Sequence, residues 1–186
     1  ISQVPSVGKY SMINGVVLPN IMTSHIQQAK KGGIDYFLFP FRSASRDLIN
    51  FRADSSTVKS FLDVNTDNLK FALAYNFSNT TFAISTTAPL ENDAVKLQQF
   101  FQDIIKMVPQ MNNTNYIKVN GKTLLYLMNA HLLFSNNNIN IYTALRSRLS
   151  ALGIELYIVG MQERWSPPAR YPFRFQGCVD AIYHQS

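Results

Sequence analysis

Five apolar runs in this chain each hand over to polar or aromatic residues of the kind that grip hydroxyl groups. Arg42 follows IDYFLFPF, and Tyr75 and Asn76 follow LKFALA. Asn129 and His131 follow LLYLM; Gln162, Glu163, Arg164 and Trp165 follow LYIVG; His184 ends the last run. Amide, guanidinium and imidazole groups make directional hydrogen bonds, and an indole offers a flat apolar plate. Together they suit a ring with hydroxyl edges and apolar faces, with Trp165 as the expected stacking platform.

Cleaving a glycosidic bond sets a stricter demand. Two carboxyl groups are needed, about 5–5.5 Å apart in retaining enzymes and about 6.5–9.5 Å apart in inverting ones. Of the 11 acidic residues, only Glu163 stands just past an expected strand end, which makes it the candidate catalytic residue. Asp47, in the loop after the first strand, is a conceivable partner. Asp35 and Asp180 open their strands and so belong to the opposite face. Asp54, Asp63, Asp67, Asp93, Asp103 and Glu155 read as caps, turns or helix surface. One exit carboxylate cannot be both acid and nucleophile, so the catalytic carboxylates are expected outside this chain. His131 and His184 have no third ligand at telling spacing, so no metal and no cofactor are expected. The single cysteine, Cys178, reads as a small buried residue.

These residues need elements to carry them. Twice a helical run ends in glycine and passes into an isoleucine-led strand: HIQQAKKGGIDYFLFPF and YTALRSRLSALGIELYIVG. Glycine supplies the left-handed residue that ends a helix, and a continuous apolar run implies a strand covered on both faces. The pattern predicts helices over 20–31, 56–62, 92–108 and 141–152, with Ser24 and Gln27 as a capping box in the first. Val95, Leu97, Phe100, Phe101, Ile104, Ile105 and Val108 form the apolar stripe of the third, which Pro109 follows. Strands are expected over 34–39, 69–75, 124–128, 154–159 and 179–183, with Pro40 stopping the first. Asn120-Gly121 marks a hairpin leading into the third. Residues 1–19 read as an irregular segment of one α/β domain spanning 1–186, and 136–138 and 162–176 as loops.

Alternating helices and strands argue for a parallel sheet with right-handed crossovers. A dinucleotide fingerprint, a phosphate loop, a G-x-S-x-G elbow and an H-E-x-x-H helix are all absent from the sequence. The net charge of +6 is scattered rather than blocked, which speaks against a nucleic-acid partner. No apolar stretch reaches the roughly 18 residues that a membrane helix requires. No leader-like segment is apparent at the N-terminus, and oligomeric state is not legible.

The segment HIQQAKKGGIDYFLFPF resembles the A-K-x-x-G-I-D-x-F stretch of glycoside hydrolase family 99-like barrels. That group is related to endo-α-mannosidases and to WbsX-like glycosyltransferases of polysaccharide biosynthesis. NYIKVNGKTLLYLM is similar to the family's Y-x-x-x-x-G-K-P hairpin and strand, while LGIELYIVG and VDAIYHQS are similar to later strands, collinearly over about 20–184. The resemblance implies a (β/α)8 TIM-barrel-like fold acting on or binding a glycan. Three departures accompany it. Asn76-Phe77 stands where the family carries Asn-Glu, Thr123 where proline is common, and the acidic N-E-W-x-E-G-like motif has no counterpart. A complete barrel takes about 250 residues, so an incomplete one with about five parallel strands is expected. A non-catalytic glycan-binding barrel and a glycosyltransferase are the alternative readings.

Overall fold

Both glycine junctions fold as their composition requires. In the computed structural model, which describes residues 16–162 and 174–184, Gly33 and Gly153 have φ of 71° and 79°. The residue after each closes the helix end, Ile34 N–H donating to the Ala29 carbonyl and Ile154 N–H to that of Leu149. The chain then enters a strand at once. A side chain at either glycine would strain a left-handed backbone that only glycine adopts freely.

The elements run α1 (Pro19–Lys31), β1 (Tyr36–Phe41), α2 (Leu48–Val64), β2 (Lys70–Asn76), α3 (Asn79–Phe82) and α4 (Ala94–Ile105). They continue with α5 (Val108–Met111), β3 (Lys118–Val119), β4 (Lys122–Met128), α6 (Asn138–Ser150), β5 (Leu156–Gln162) and β6 (Ala181–His184). The sheet order is β1-β2-β4-β5-β6, every neighbouring pair parallel. Among the strands of the described residues only β3 is antiparallel, held to β4 by the turn at Asn120 and Gly121, both with positive φ. The order follows the chain without reversal. A doubly wound sheet reverses at a switch point, whereas a barrel steps always in one direction. The fold is α/β, and its strand order is that of part of a (β/α)8 barrel.

Alternation along the strands divides the sheet into two faces. Phe37, Phe39, Phe71 and Tyr75 look outward to the helices: the Phe39 and Phe61 rings lie 5.2 Å apart, Phe61 and Phe71 5.6 Å, Tyr75 and Phe100 5.9 Å. Phe61, Phe71 and Phe100 are fully buried, and removal of such a ring from water contributes roughly 1.5–3 kcal/mol. The other face carries Ala72 and Ala74, small enough for Tyr36 of β1 and Tyr126 of β4 to meet across β2, hydroxyl to hydroxyl at 2.7 Å. Tyr183 of β6 packs edge-on against Tyr126.

Several boundaries differ from the sequence reading. Helix α1 starts at Pro19 as its first residue, so Ser24 is no cap and instead accepts from Gln28 Nε2 in the second turn. Strand β1 runs through Pro40, whose missing N–H is tolerated because β1 pairs only with β2 among the described residues. Helix α2 begins eight residues earlier than expected (48 against 56), because the apolar Leu48 and Ile49 of its first turn face solvent and fall off the stripe that Val58 and Phe61 continue. The long helix at 92–108 is two: Asp93 caps α4, accepting from the Val95 and Lys96 amides, and Pro109 lies inside the short α5 rather than beyond a helix end. Val95 is 64% exposed, because it stands about two and a half turns from Ile104 and so on the opposite side.

Candidate functional site

Parallel strands deliver their C-terminal ends to one rim, and two adjacent ends build a cleft there. It has a volume of about 170 Å³ and is lined by Arg42, Ser43 and Asp47 after β1 and by Asn76, Ser78, Thr81 and Phe82 at the end of β2. A larger groove of about 580 Å³, lined by Lys70, Met111, Asn113, Tyr116 and Lys118, opens at the other ends of the strands. No carboxylate lines it, and it faces away from the rim; the smaller cleft, which joins a carboxylate, Asp47, to Arg42 and Asn76 at two adjacent strand ends, is the candidate site.

Each wall of the cleft is fixed from behind. Arg42 donates its backbone N–H and Nε to Asp54 Oδ2, both at 2.9 Å, and its Nη2 to Asp54 Oδ1 at 2.6 Å. Asp54 is buried on α2, and this paired carboxylate raises the Arg42 pKa above its ordinary value. The fork of the guanidinium is thereby oriented, with Nη1 left for the cleft. Asp47 accepts from Asn50 Nδ2 at 2.8 Å, one turn into α2. Asn129, in the left-handed conformation at φ 58°, donates Nδ2 to the Phe77 carbonyl at 3.1 Å and to Asn76 Oδ1 at 3.3 Å. Asn76 Oδ1 accepts from Asn129, which orients the amide and leaves Nδ2 as the donor it offers. Ser78 caps α3, accepting from Thr81 N–H at 3.1 Å, and keeps its own proton to donate.

Beneath the β1 loop lies a second carboxylate. Asp103 of α4 is 2% exposed. It accepts from Ser43 Oγ, from Ser45 N–H at 2.9 Å, from Ser45 Oγ at 2.7 Å and from Tyr75 OH at 2.8 Å. Burial first, then the adjacent Asp103 charge, pushes the Tyr75 hydroxyl well above its usual range, so it stays a donor. Arg46 spans the edge of the cleft, its Nε on Gln99 Oε1 at 2.7 Å and its guanidinium 5.3 Å above the Phe82 ring.

Of the residues singled out in the sequence, the structure brings together Arg42, Asn76 and Asn129. Tyr75 is turned outward to α4, 1% exposed, because it alternates with Asn76 along β2. His131 is buried in the turn after β4, its carbonyl accepting from Arg174, and lies off the cleft. His184 ends β6, at the far side of the sheet from β1. Glu163 and Trp165 lie outside the described residues. Asp54 and Asp103 correct the sequence reading of helix surface. Asp54 stands four and seven positions before the apolar Val58 and Phe61, and Asp103 three after Phe100, spacings that put both beside an apolar stripe but do not separate a buried acid from a solvated one. Ser43, Ser78, Thr81 and Phe82 were unreadable as site residues, since only the loop conformation gathers them. Asp93 and Asp63 hold their expected places as a cap and on the helix surface, and Cys178 is buried, its thiol pushed up to about 11.

The arrangement offers donors from Arg42, Asn76 and Ser78 and acceptors from Asp47 and Ser43, interleaved within one small cleft. Hydroxyl groups, which donate and accept at once, are matched by such alternation better than phosphate, which only accepts.

No protein-family model and no curated protein matches the chain. Among solved structures it is similar to a "Glycoside hydrolase-like protein", with a TM-score of 0.83 and 30% sequence identity over 100% of this chain. The chain spans about half the length of that structure, 54% of it. The fold is therefore glycoside hydrolase-like. No helix among the described residues is long and apolar enough to cross a membrane.

Proposed function

We propose that this chain is the glycan-holding part of a carbohydrate-active barrel of the family 99-like type, with the β1–β2 cleft as a sugar subsite. The observation that carries this reading is the interleaving of donors and acceptors in the cleft, with Arg42, Asp47 and Asn76 each held by a second side chain and Ser78 by the Thr81 amide. Arg42, Asn76 and Asp47 contact the sugar directly and Asn129 aligns Asn76. Trp165 is proposed as the stacking plate.

Hydrolysis is supported to a lesser extent by Asp47, a carboxylate standing in the cleft wall. One carboxylate does not complete a retaining or inverting pair, so Glu163 or an acid supplied from outside these residues would have to face it. In that case the reaction is endo-α-mannosidase-like cleavage. Without it the chain binds and does not cut, and the Asn76-Phe77 sequence favours this second outcome. Transfer from an activated sugar donor is the third reading, separated by its need for that donor.

A glycan array probed with the purified chain tests the proposal. Binding to a restricted set of neutral oligosaccharides, lost in Asn76→Ala, is expected. A folded chain that binds none of them sinks it.

A further inference from the structure

We propose that Asp103 is a positioning residue for the cleft: from α4 it fixes the β1–α2 loop in the one conformation that presents Ser43 and Asp47 to a ligand. The inference rests on the reading of that cleft as a glycan site. It stands on geometry that the fold alone does not demand. The outer face of β2 is otherwise apolar, with Phe71, Leu73 and Phe77 at 0% exposure, and an ionised carboxylate is costly there unless its acceptors are filled. Four hydrogen bonds from three residues fill them, two of those residues belonging to the loop.

The consequence reaches the cleft through hydrogen-bond polarity. An ionised carboxylate only accepts, so the Ser43 hydroxyl must spend its proton on Asp103. Ser43 Oγ also takes the Arg46 N–H at 3.0 Å, which closes the turn that brings Asp47 forward. What Ser43 then presents to a ligand is an acceptor alone, and the partner it selects is a hydroxyl that donates. Asp54 acts on the preceding residue in the same manner, gripping Arg42 from α2. Two helices thus hold successive residues of one loop, each through a buried carboxylate.

The test compares Asp103→Asn and Ser45→Ala with Asp180→Asn. The last breaks the Arg146–Asp180 pair at the start of β6, away from the rim. Amide hydrogen exchange is read over residues 43–47. Binding is read on an array of mannose-, glucose- and galactose-terminated neutral oligosaccharides. Asp103→Asn should speed exchange in that loop by about tenfold, the scale of losing a charged hydrogen bond, and weaken array binding by a similar factor. Ser45→Ala, which touches no cleft-lining group, should move both in the same direction and by less. Asp180→Asn should lower the melting temperature and move neither. Unchanged exchange over 43–47 in both loop variants overturns the proposal, as does an equal change in Asp180→Asn. Should the unsubstituted chain ignore every glycan, the sugar reading falls, and the exchange result alone decides whether Asp103 holds the loop. Should Asp103→Asn fail to fold, Ser45→Ala carries the comparison.

Discussion

At the scale of single residues, the chemistry of this chain depends on what stands behind each exposed group. Arg42 illustrates it. Replacing it by alanine leaves Asp54 buried with a backbone N–H as its remaining partner among the described residues, and losing charged hydrogen bonds from a half-exposed arginine costs about 1.5–3 kcal/mol. We therefore expect Arg42→Ala to lower the urea midpoint strongly and Asp54→Asn to do so less, both measured by equilibrium unfolding. If the two midpoints match that of the unsubstituted chain, the pair has no structural role. Trp165→Ala has the opposite expectation: weaker glycan binding on the array with nearly unchanged melting. A drop of many degrees would make the tryptophan a core residue. Arg42 and Asn76 were legible in the sequence because they directly follow apolar runs. Asp103 was not, because one acid beside an apolar stripe looks the same on paper whether it meets solvent or a loop from another strand.

At the scale of elements, the glycine-ended helices are the most transferable feature of the sequence. Gly33→Ala or Gly153→Ala forces a left-handed alanine, at about 1 kcal/mol each. Since the strands that follow the two glycines, β1 and β5, are separated in the sheet by β2 and β4, the double variant should show the sum. Chemical denaturation with an unchanged m-value would confirm that only stability moved. Helix α4 shows where periodicity misleads. Its stripe is real from Leu97 onward, yet Val95 falls on the opposite side and Asp93, one residue before the helix, sets its start. Caps decide where a helix begins, and an apolar stripe only says which side is covered.

At the scale of the whole molecule, two carboxylates tie loops to distant elements and set the acid limit. For Glu91, burial would raise the carboxyl, but donors from Ser135 Oγ and the Asn137 and Asn136 amides outweigh it and hold the pKa below the usual value. Asp180 behaves alike: burial is outweighed by the Ile158 amide and Arg146. A carboxyl lowered in the folded state stabilises above its unfolded pKa, and that contribution fades as pH falls through the folded value. Melting temperature should therefore decline below about pH 4, and Asp180→Asn should flatten the decline; an equally steep profile in that variant would exclude its part in it. The alternation of helices and strands, the hairpin at Asn120-Gly121 and the glycine stops came from the sequence unaided, because each is set by local backbone chemistry and a repeating apolar period. The uninterrupted strand order, the inward turn of Asp54 and Asp103 and the gathering of Arg42, Asp47 and Asn76 around one cleft came only with the tertiary structure. Those features depend on which surfaces meet across the sheet, and residues tens of positions apart carry no mark of whom they will face.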